Sequence, residues 1–285
     1  MVLRLSLMGI LALSPLLAPY AFADPFFFST GNPDGKIGTL SRPASAGLIE
    51  TETADDFILT QATTINQATF IGLLPSGAPL TNITRVEIEL YHVFPVDSTN
   101  PPSGNVPTRI NSPSDVHFAA FDSVAGTLSV TPILLNSAFT VANTVVNGIH
   151  PSPNQFTGGE GAATGEEVLF NIIFTPTFNL PADHYFFRPE VQLTTGNFLW
   201  LSAPRPIVPP GTPFTPDFES WIRNSDLALD WLRIGTDITH EGPFNATFSL
   251  SGQTVSGQTV PEPATLFLLG SGVAGLAAWR WRQAA

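Results

Sequence analysis

The sequence predicts an all-β protein: one antiparallel β-sandwich, jelly-roll-like, of roughly nine to twelve strands. Helices are expected only at the two ends, an N-terminal signal helix and a C-terminal transmembrane helix, with one helical turn near residue 220. Three observations carry this reading. The 285 residues include 27 Pro, 23 Gly and 22 Phe, so turns are frequent and β-favouring aromatics abundant. Period-two alternation recurs, most cleanly over Arg85–His92, where Val86, Ile88 and Leu90 alternate with Arg85, Glu87 and Glu89. Hydrophobic residues make up 43% and charged residues 12%, a balance that builds a buried core rather than a disordered chain. The predicted divisions are 1–23, a signal peptide; 24–250, the sandwich; 251–260, a Ser/Gly/Gln/Thr linker; and 261–285, a tail.

Taken in order, residues 1–23 have the parts of a secretory leader. Arg4 supplies the positive charge, Leu5–Leu17 the apolar run, and Ala21-Phe22-Ala23 the small-x-small cleavage pattern. Asn32-Pro33-Asp34-Gly35 is a turn, and 36–50 is an extended stretch of weak pattern. Glu50–Leu59 enters a strand, and its adjacent acids Asp55 and Asp56 point to opposite faces. These two are the weak candidates for a metal, calcium being the ion that hard oxygen ligands suit. In the other reading one is solvated and one bonds a turn backbone. Ile65–Leu74 is the next strand. Arg85–His92 is then a half-buried strand with one wet face. Its Glu87 and Glu89 read either as an acid–base pair or, beside Arg85, as a solvated charge row.

Five prolines between 95 and 115 make a long loop, because proline removes ladder donors. Val116–Val124, Gly126–Leu135 and Phe139–Val146 are strands, and 147–165 is a second long loop. Glu167–Phe174 is almost continuously apolar, as in a strand covered on both faces. His184–Leu193 and Asn197–Ser202 follow, then a Pro-rich loop at 203–216 and the helical turn at 216–224. Trp200, Trp221 and Trp231, with Tyr185, form either a sugar-stacking platform on an open sheet or plugs in the core. Phe244–Leu250 alternates as a closing strand. The tandem pentapeptide Ser-Gly-Gln-Thr-Val at 251–255 and 256–260 reads as a flexible linker.

Charge and motifs exclude several functions. Net charge is −12 and the one lysine is Lys36, so no strong basic patch forms and nucleic acid is a poor partner. The absence of cysteine removes disulfides, thiolate metal sites and Cys nucleophiles. His92, His117, His150, His184 and His240 show no metal-binding spacing. No G-x-S-x-G elbow or phosphate loop occurs. Gly270–Gly275 matches G-x-G-x-x-G, but ten residues after it leave no room for a βαβ unit. Asn82-Ile-Thr84 and Asn245-Ala-Thr247 match the glycosylation acceptor pattern. No catalytic residue and no cofactor is assigned.

The tail has three parts. Pro261-Glu262-Pro263 stays extended. Ala264–Trp281 is apolar and, as a helix, about 27 Å long, near the lower limit for spanning a bilayer. Arg280 and Arg282 form a basic end that leaves the C-terminus cytoplasmic by the positive-inside rule. Val260-Pro-Glu-Pro-Ala-Thr265, a Leu/Gly/Ala helix and Trp279-Arg-Trp-Arg282 together resemble the PEP-CTERM sorting signal of Gram-negative-type bacteria. The stretches Phe28–Gly35, Ala54–Phe57 and Ser220–Asn224 are similar to cargo on other such proteins. The resemblance implies recognition by an exosortase at Pro261, Glu262 and Pro263, and cleavage near that motif. It also implies delivery to the outer surface or extracellular polysaccharide matrix.

The expectation is an exported cell-surface or biofilm-matrix protein with no catalytic activity of its own. Its expected partners are the Sec-type export machinery, an exosortase, extracellular polysaccharide and, transiently, the inner membrane. Two other readings stand beside it. One is a lectin-like carbohydrate-binding sandwich that stacks sugar on Trp200, Trp221, Trp231 or Tyr185. The other is an extracellular hydrolase.

Overall fold

The computed structural model describes residues 23–45, 47–99, 104–149 and 157–255. Residues 24–255 are one compact unit. Its strands in chain order are β1 (Pro25–Ser29), β2 (Ile37–Leu40), β3 (Thr51–Leu59), β4 (Thr63–Pro75), β5 (Ile83–His92), β6 (Ala119–Asp122), β7 (Leu128–Val141) and β8 (Asn143–Val145). There follow β9 (Ala163–Leu180), β10 (Asp183–Leu193), β11 (Leu199–Ala203), β12 (Trp221–Asn224), β13 (Leu232–Arg233), β14 (Asn245–Ala246) and β15 (Phe248–Thr254). A 3₁₀ turn at Leu80–Asn82 and a π-helical turn at Ile234–Thr239 are the helical pieces among the described residues. None is long and apolar enough to cross a membrane. The expected signal and transmembrane helices fall outside the described residues.

The strands form two sheets. The first runs β1-β15-β4-β11-β2-β8, with β9 pairing β4 and β7 pairing β9 as a long ribbon, and β14 pairing β11. The second runs β13-β12-β3-β10-β5-β6. Pairing is antiparallel except between β2 and β8, which run parallel. That pair departs from the all-antiparallel expectation. It arises because the chain crosses from β2 to β8 through the whole of β3–β7 rather than through a hairpin.

The sheets are held face to face by side chains that period-two alternation sends inward. Phe28, Phe70, Phe170, Trp200 and Phe248 come from the first sheet. Phe57, Ile88, Tyr185 and Phe187 come from the second, and all belong to one buried cluster. Phe187 stacks on Phe248 at 4.9 Å between centroids, and both contact Trp200 at 6.1 Å. The Trp200 indole N–H donates to the Thr247 carbonyl at 2.8 Å, so this large ring is buried with its polar atom satisfied. Each such side chain contributes roughly 1.5–3 kcal/mol by leaving water.

Several boundaries differ from expectation, among them the expected strands 126–135 and 139–146, which β7 joins through to Val141, and the expected loop 147–165, whose end lies in β9. Trp221–Asn224 is the strand β12, not a helical turn, because its aromatic and β-branched residues pair with Thr51–Ala54 of β3. Residues 251–254 are not linker: β15 runs through them to Thr254, between β1 and β4. Gly252 permits this, since a Cβ there would lie 1.9 Å from the Thr64 carbonyl oxygen. Only 256–260 of the expected linker remains, outside the described residues. Strand β1 also went unread, because its Pro-Phe-Phe-Phe-Ser run lacks alternation.

Candidate functional site

The outward face of the second sheet carries the densest set of ionisable groups. Alternation places Glu52 on β3, Glu89 and Tyr91 on β5, Arg188 and Glu190 on β10, and Arg223 on β12 on that one face. Glu52 stands directly across from Arg223, and Glu89 across from Arg188. Arg188 lies 2.7 Å from Glu52 Oε1, 2.6 Å from Glu89 Oε2 and 2.5 Å from Glu190 Oε2. Arg223 pairs with both oxygens of Glu52 and donates to the Tyr91 hydroxyl at 3.1 Å. The Tyr91 hydroxyl in turn lies 2.8 Å from Glu52 and 2.6 Å from Glu89, with one hydrogen to donate between them.

The loop between β5 and β6 closes over this face. Arg223 stacks on Trp231 at 4.3 Å and donates to the carbonyls of Asp115 and Leu229. Arg109 packs on Phe94 at 4.6 Å and bridges Asp115 and Asp230. Asp115 also accepts from the Thr99 backbone and hydroxyl. The prolines that exclude this segment from the sheet therefore leave it as a cover pinned by buried ion pairs, and Trp221, Trp231, Tyr91 and Phe186 pack beneath it.

Burial sets the electrostatics. It works against ionisation of Glu52, yet Arg188 and Arg223 overcome it and hold that carboxyl down to about 2. Burial pushes Glu190 well above the usual carboxylate range, with Arg188 only partly offsetting it. Two arginines, Arg188 and Arg223, thus face the acids Glu52, Glu89 and Glu190 on this one face. Side chains of Arg188, Glu52 and Glu190 are 5% exposed or less. No substrate reaches them in this conformation, and the arrangement ties four strands and a loop together.

Asp55 and Asp56 do diverge, as an extended backbone requires. Asp55 faces inward and accepts from the Ser220 hydroxyl at 2.8 Å and the Ala246 N–H at 2.9 Å. Asp56 accepts from the Phe218 N–H and lies 2.5 Å from His184 Nε2. Burial raises both carboxyls well above their ordinary value and lowers His184 to about 4. Their oxygens are committed to different partners and do not converge. Among the described residues no group of three or more His, Asp or Glu is placed to hold a metal ion. The calcium reading of this pair therefore lacks its geometry.

Trp200, Trp221, Trp231 and Tyr185 are each 1% exposed or less. A sugar-stacking platform needs open ring faces, so these residues are core plugs, not a lectin surface. Glu87 is paired with Arg85 at 2.5 Å, and Glu89 is taken into the buried cluster, so the solvated charge row holds for the first alone. Both glycosylation patterns are in use by the fold. Asn82 exchanges hydrogen bonds with Thr195, and Asn245 is 1% exposed. Sequence reasoning missed the Arg188 cluster. Its signal was Tyr185-Phe-Phe187, apolar on both faces of β10, which means that Arg188 and Glu190 on the same strand are covered too.

Of the residues tied to export, Ala23 is exposed at the start of the described chain. Ala21, Pro261, Glu262, Pro263, Arg280 and Arg282 lie outside it. The family model described as the PEP-CTERM protein-sorting motif matches residues 259–283. The chain carries a PEP-CTERM sorting motif. The match covers Pro261, Glu262 and Pro263, the apolar run and both arginines. A PEP-CTERM protein is exported, directed to the cell envelope and targeted to an exosortase. No curated protein and no solved structure matches the chain.

Proposed function

We propose that this PEP-CTERM protein is a non-catalytic component of the cell surface or of the extracellular polysaccharide matrix. In this reading a Sec-type route removes residues 1–23 after Ala23. The run Ala264–Trp281 then holds the chain briefly in the inner membrane, with Arg280 and Arg282 on the cytoplasmic side. An exosortase recognises Pro261, Glu262 and Pro263, cleaves nearby and releases the body, a jelly-roll-like sandwich, toward the outer surface. The observation that carries the proposal is the match of the sorting motif to residues 259–283. The absence of catalysis is supported by how the strongest acid–base groups are used. Glu52, Asp55, Asp56 and Glu190 are at most 4% exposed, and the first three are committed to arginines, backbone N–H groups, a serine and a histidine.

The test is fractionation of cells that produce the full chain, in the presence and absence of the exosortase. The expected result is a shortened protein at the outer surface or in the matrix, and retention of a longer form in the inner membrane for Glu262→Ala. Full-length protein in the inner membrane with the motif intact and the exosortase present would sink the sorting mechanism. Turnover of an extracellular polymer by the purified protein would sink the non-catalytic role.

A further inference from the structure

The last strand leaves the body at one end, and both sheets meet there. Thr254 of β15 pairs with Thr63 at the start of β4, and Thr63 pairs with Leu180 at the end of β9. In the second sheet, Leu59 at the end of β3 pairs with Asp183 at the start of β10. The turns at 60–62 and 181–182 therefore flank the point where β15 ends. Hydrogen bonds hold the chain to it. The Thr254 N–H donates to the Asp24 carbonyl at 2.9 Å, and the Val255 N–H donates to the Ala62 carbonyl at 2.7 Å. The Asp24 N–H donates to the Thr254 hydroxyl at 3.2 Å.

These bonds limit how far the sorting motif can stand from the fold. By composition the tandem pentapeptide at 251–255 and 256–260 offers ten residues of slack, yet its first copy is bound into the sheet. Pro261 follows Val255 by six positions, which span at most about 22 Å when fully extended. One helix with its side chains is already about 10–12 Å across. An enzyme that encloses Pro261, Glu262 and Pro263 between helices fills that distance and reaches the body.

The end of the body suits a protein neighbour better than a lipid one. Thr60, Gln61, Pro181 and Ala182 are exposed, and Ala62 is half-buried. Asp24 and Asp183 are exposed too, and none of these residues is Lys or Arg, so anionic headgroups do not attract this end. We propose, building on the sorting reading above, that the exosortase meets this end of the folded body and that residues 256–260 are the gap it needs to close on the motif. In the sorting reading the motif alone directs the chain. Here the fold itself governs access to the motif, because β15 holds back residues that would otherwise lengthen the tether.

The test uses cells that make the full chain together with the exosortase. Deletion of 256–260 joins Val255 to Pro261 and should lower the shortened fraction by on the order of tenfold or more, as misplacing a reacting bond does. A Gly/Ser pentapeptide in place of 256–260 should restore the wild-type fraction, because length and not sequence sets the gap. Single cysteines map the contact, since the chain has none of its own. A thiol-reactive cross-linker on Gln61→Cys should capture the exosortase. On Ser76→Cys, exposed beyond the far end of β4 and about 40 Å of strand away, it should capture little. Circular dichroism of the purified chains shows whether each body is folded, and the two cysteine chains decide by themselves if the deletion chain is not. Equal shortening with and without 256–260 in folded chains would overturn the proposal. So would loss of shortening in the Gly/Ser chain, or equal capture at 61 and 76. A wild-type chain that is not shortened would sink the sorting reading and this inference with it, whereas the other failures leave that reading standing.

Discussion

At the level of single residues the molecule turns on how it keeps charge inside a sheet-rich body. Glu52 is the pivot, since Arg188, Arg223 and the Tyr91 hydroxyl all converge on its two oxygens. Glu52→Gln leaves both guanidinium groups short of a counter-charge, and the expected loss of stability is about 3–5 kcal/mol in chemical denaturation. The pH dependence gives a second check. The folded carboxyl titrates at about 2, below its ordinary 4.5. Its stabilisation is therefore complete above pH 4.5 and is lost as pH falls toward 2. The wild-type curve minus the Glu52→Gln curve should fall across that interval. A flat difference would mean that Glu52 is not held by the two arginines. The chemistry of this cluster was not legible in the sequence, where Glu52, Glu89, Arg188 and Arg223 are dispersed over 172 positions. Only the strand register brings them to one face.

Strands with clean alternation were legible, and the short β1 and β2, which lack it, were not. Val86, Ile88 and Leu90 face the core as their spacing requires. Glu167–Phe174 lies within β9, between β4 and β7, but it is covered on one face and not on both, since Val168, Phe170, Ile172 and Phe174 are buried while Ile173 is 51% exposed. The stretch around residue 220 was misread because proline, aspartate and glutamate ahead of Trp221 look like a helix start, whereas pairing to β3 decides its state. Residues 251–254 were misread because Ser, Gly, Gln and Thr suit both a linker and a strand, and composition does not report the partner strands. That correction has a direct consequence. Gly252→Ala forces a Cβ against the Thr64 carbonyl and should cost roughly 1–3 kcal/mol, read from the denaturation midpoint. An unchanged midpoint would return this segment to the linker. The candidate site was legible in part. Trp200, Trp221, Trp231 and Tyr185 were already read as core or platform, and burial decides for core. The sorting motif was legible in full, because its recognition rests on local residues and not on a fold.

For the whole molecule, buried acids set the response to alkali. Burial raises Asp55, Asp56 and Glu190 well above their ordinary values. Each therefore favours the folded state while protonated, and that contribution is lost as pH rises through the folded value. At constant ionic strength, the difference in unfolding temperature between wild type and Asp55→Asn, Asp56→Asn or Glu190→Gln should fall over the interval in which pH rises above the ordinary carboxylate values of 3.8 and 4.5. A rise over that interval would contradict the assignment. Strand order has a further consequence, in time rather than in energy. Asp24 and Thr254 are hydrogen-bonded to each other across 230 positions, and β15 inserts between β1 and β4. A chain made and threaded from its N-terminus meets this gap late. Until Phe248–Thr254 emerges, β1 has no neighbour in the sheet and β4 lacks one along half its length. Closure is thus a final event of synthesis. A nascent chain that waits for its last strand carries unpaired edges throughout, and spends the longest part of its biogenesis in need of shelter from aggregation.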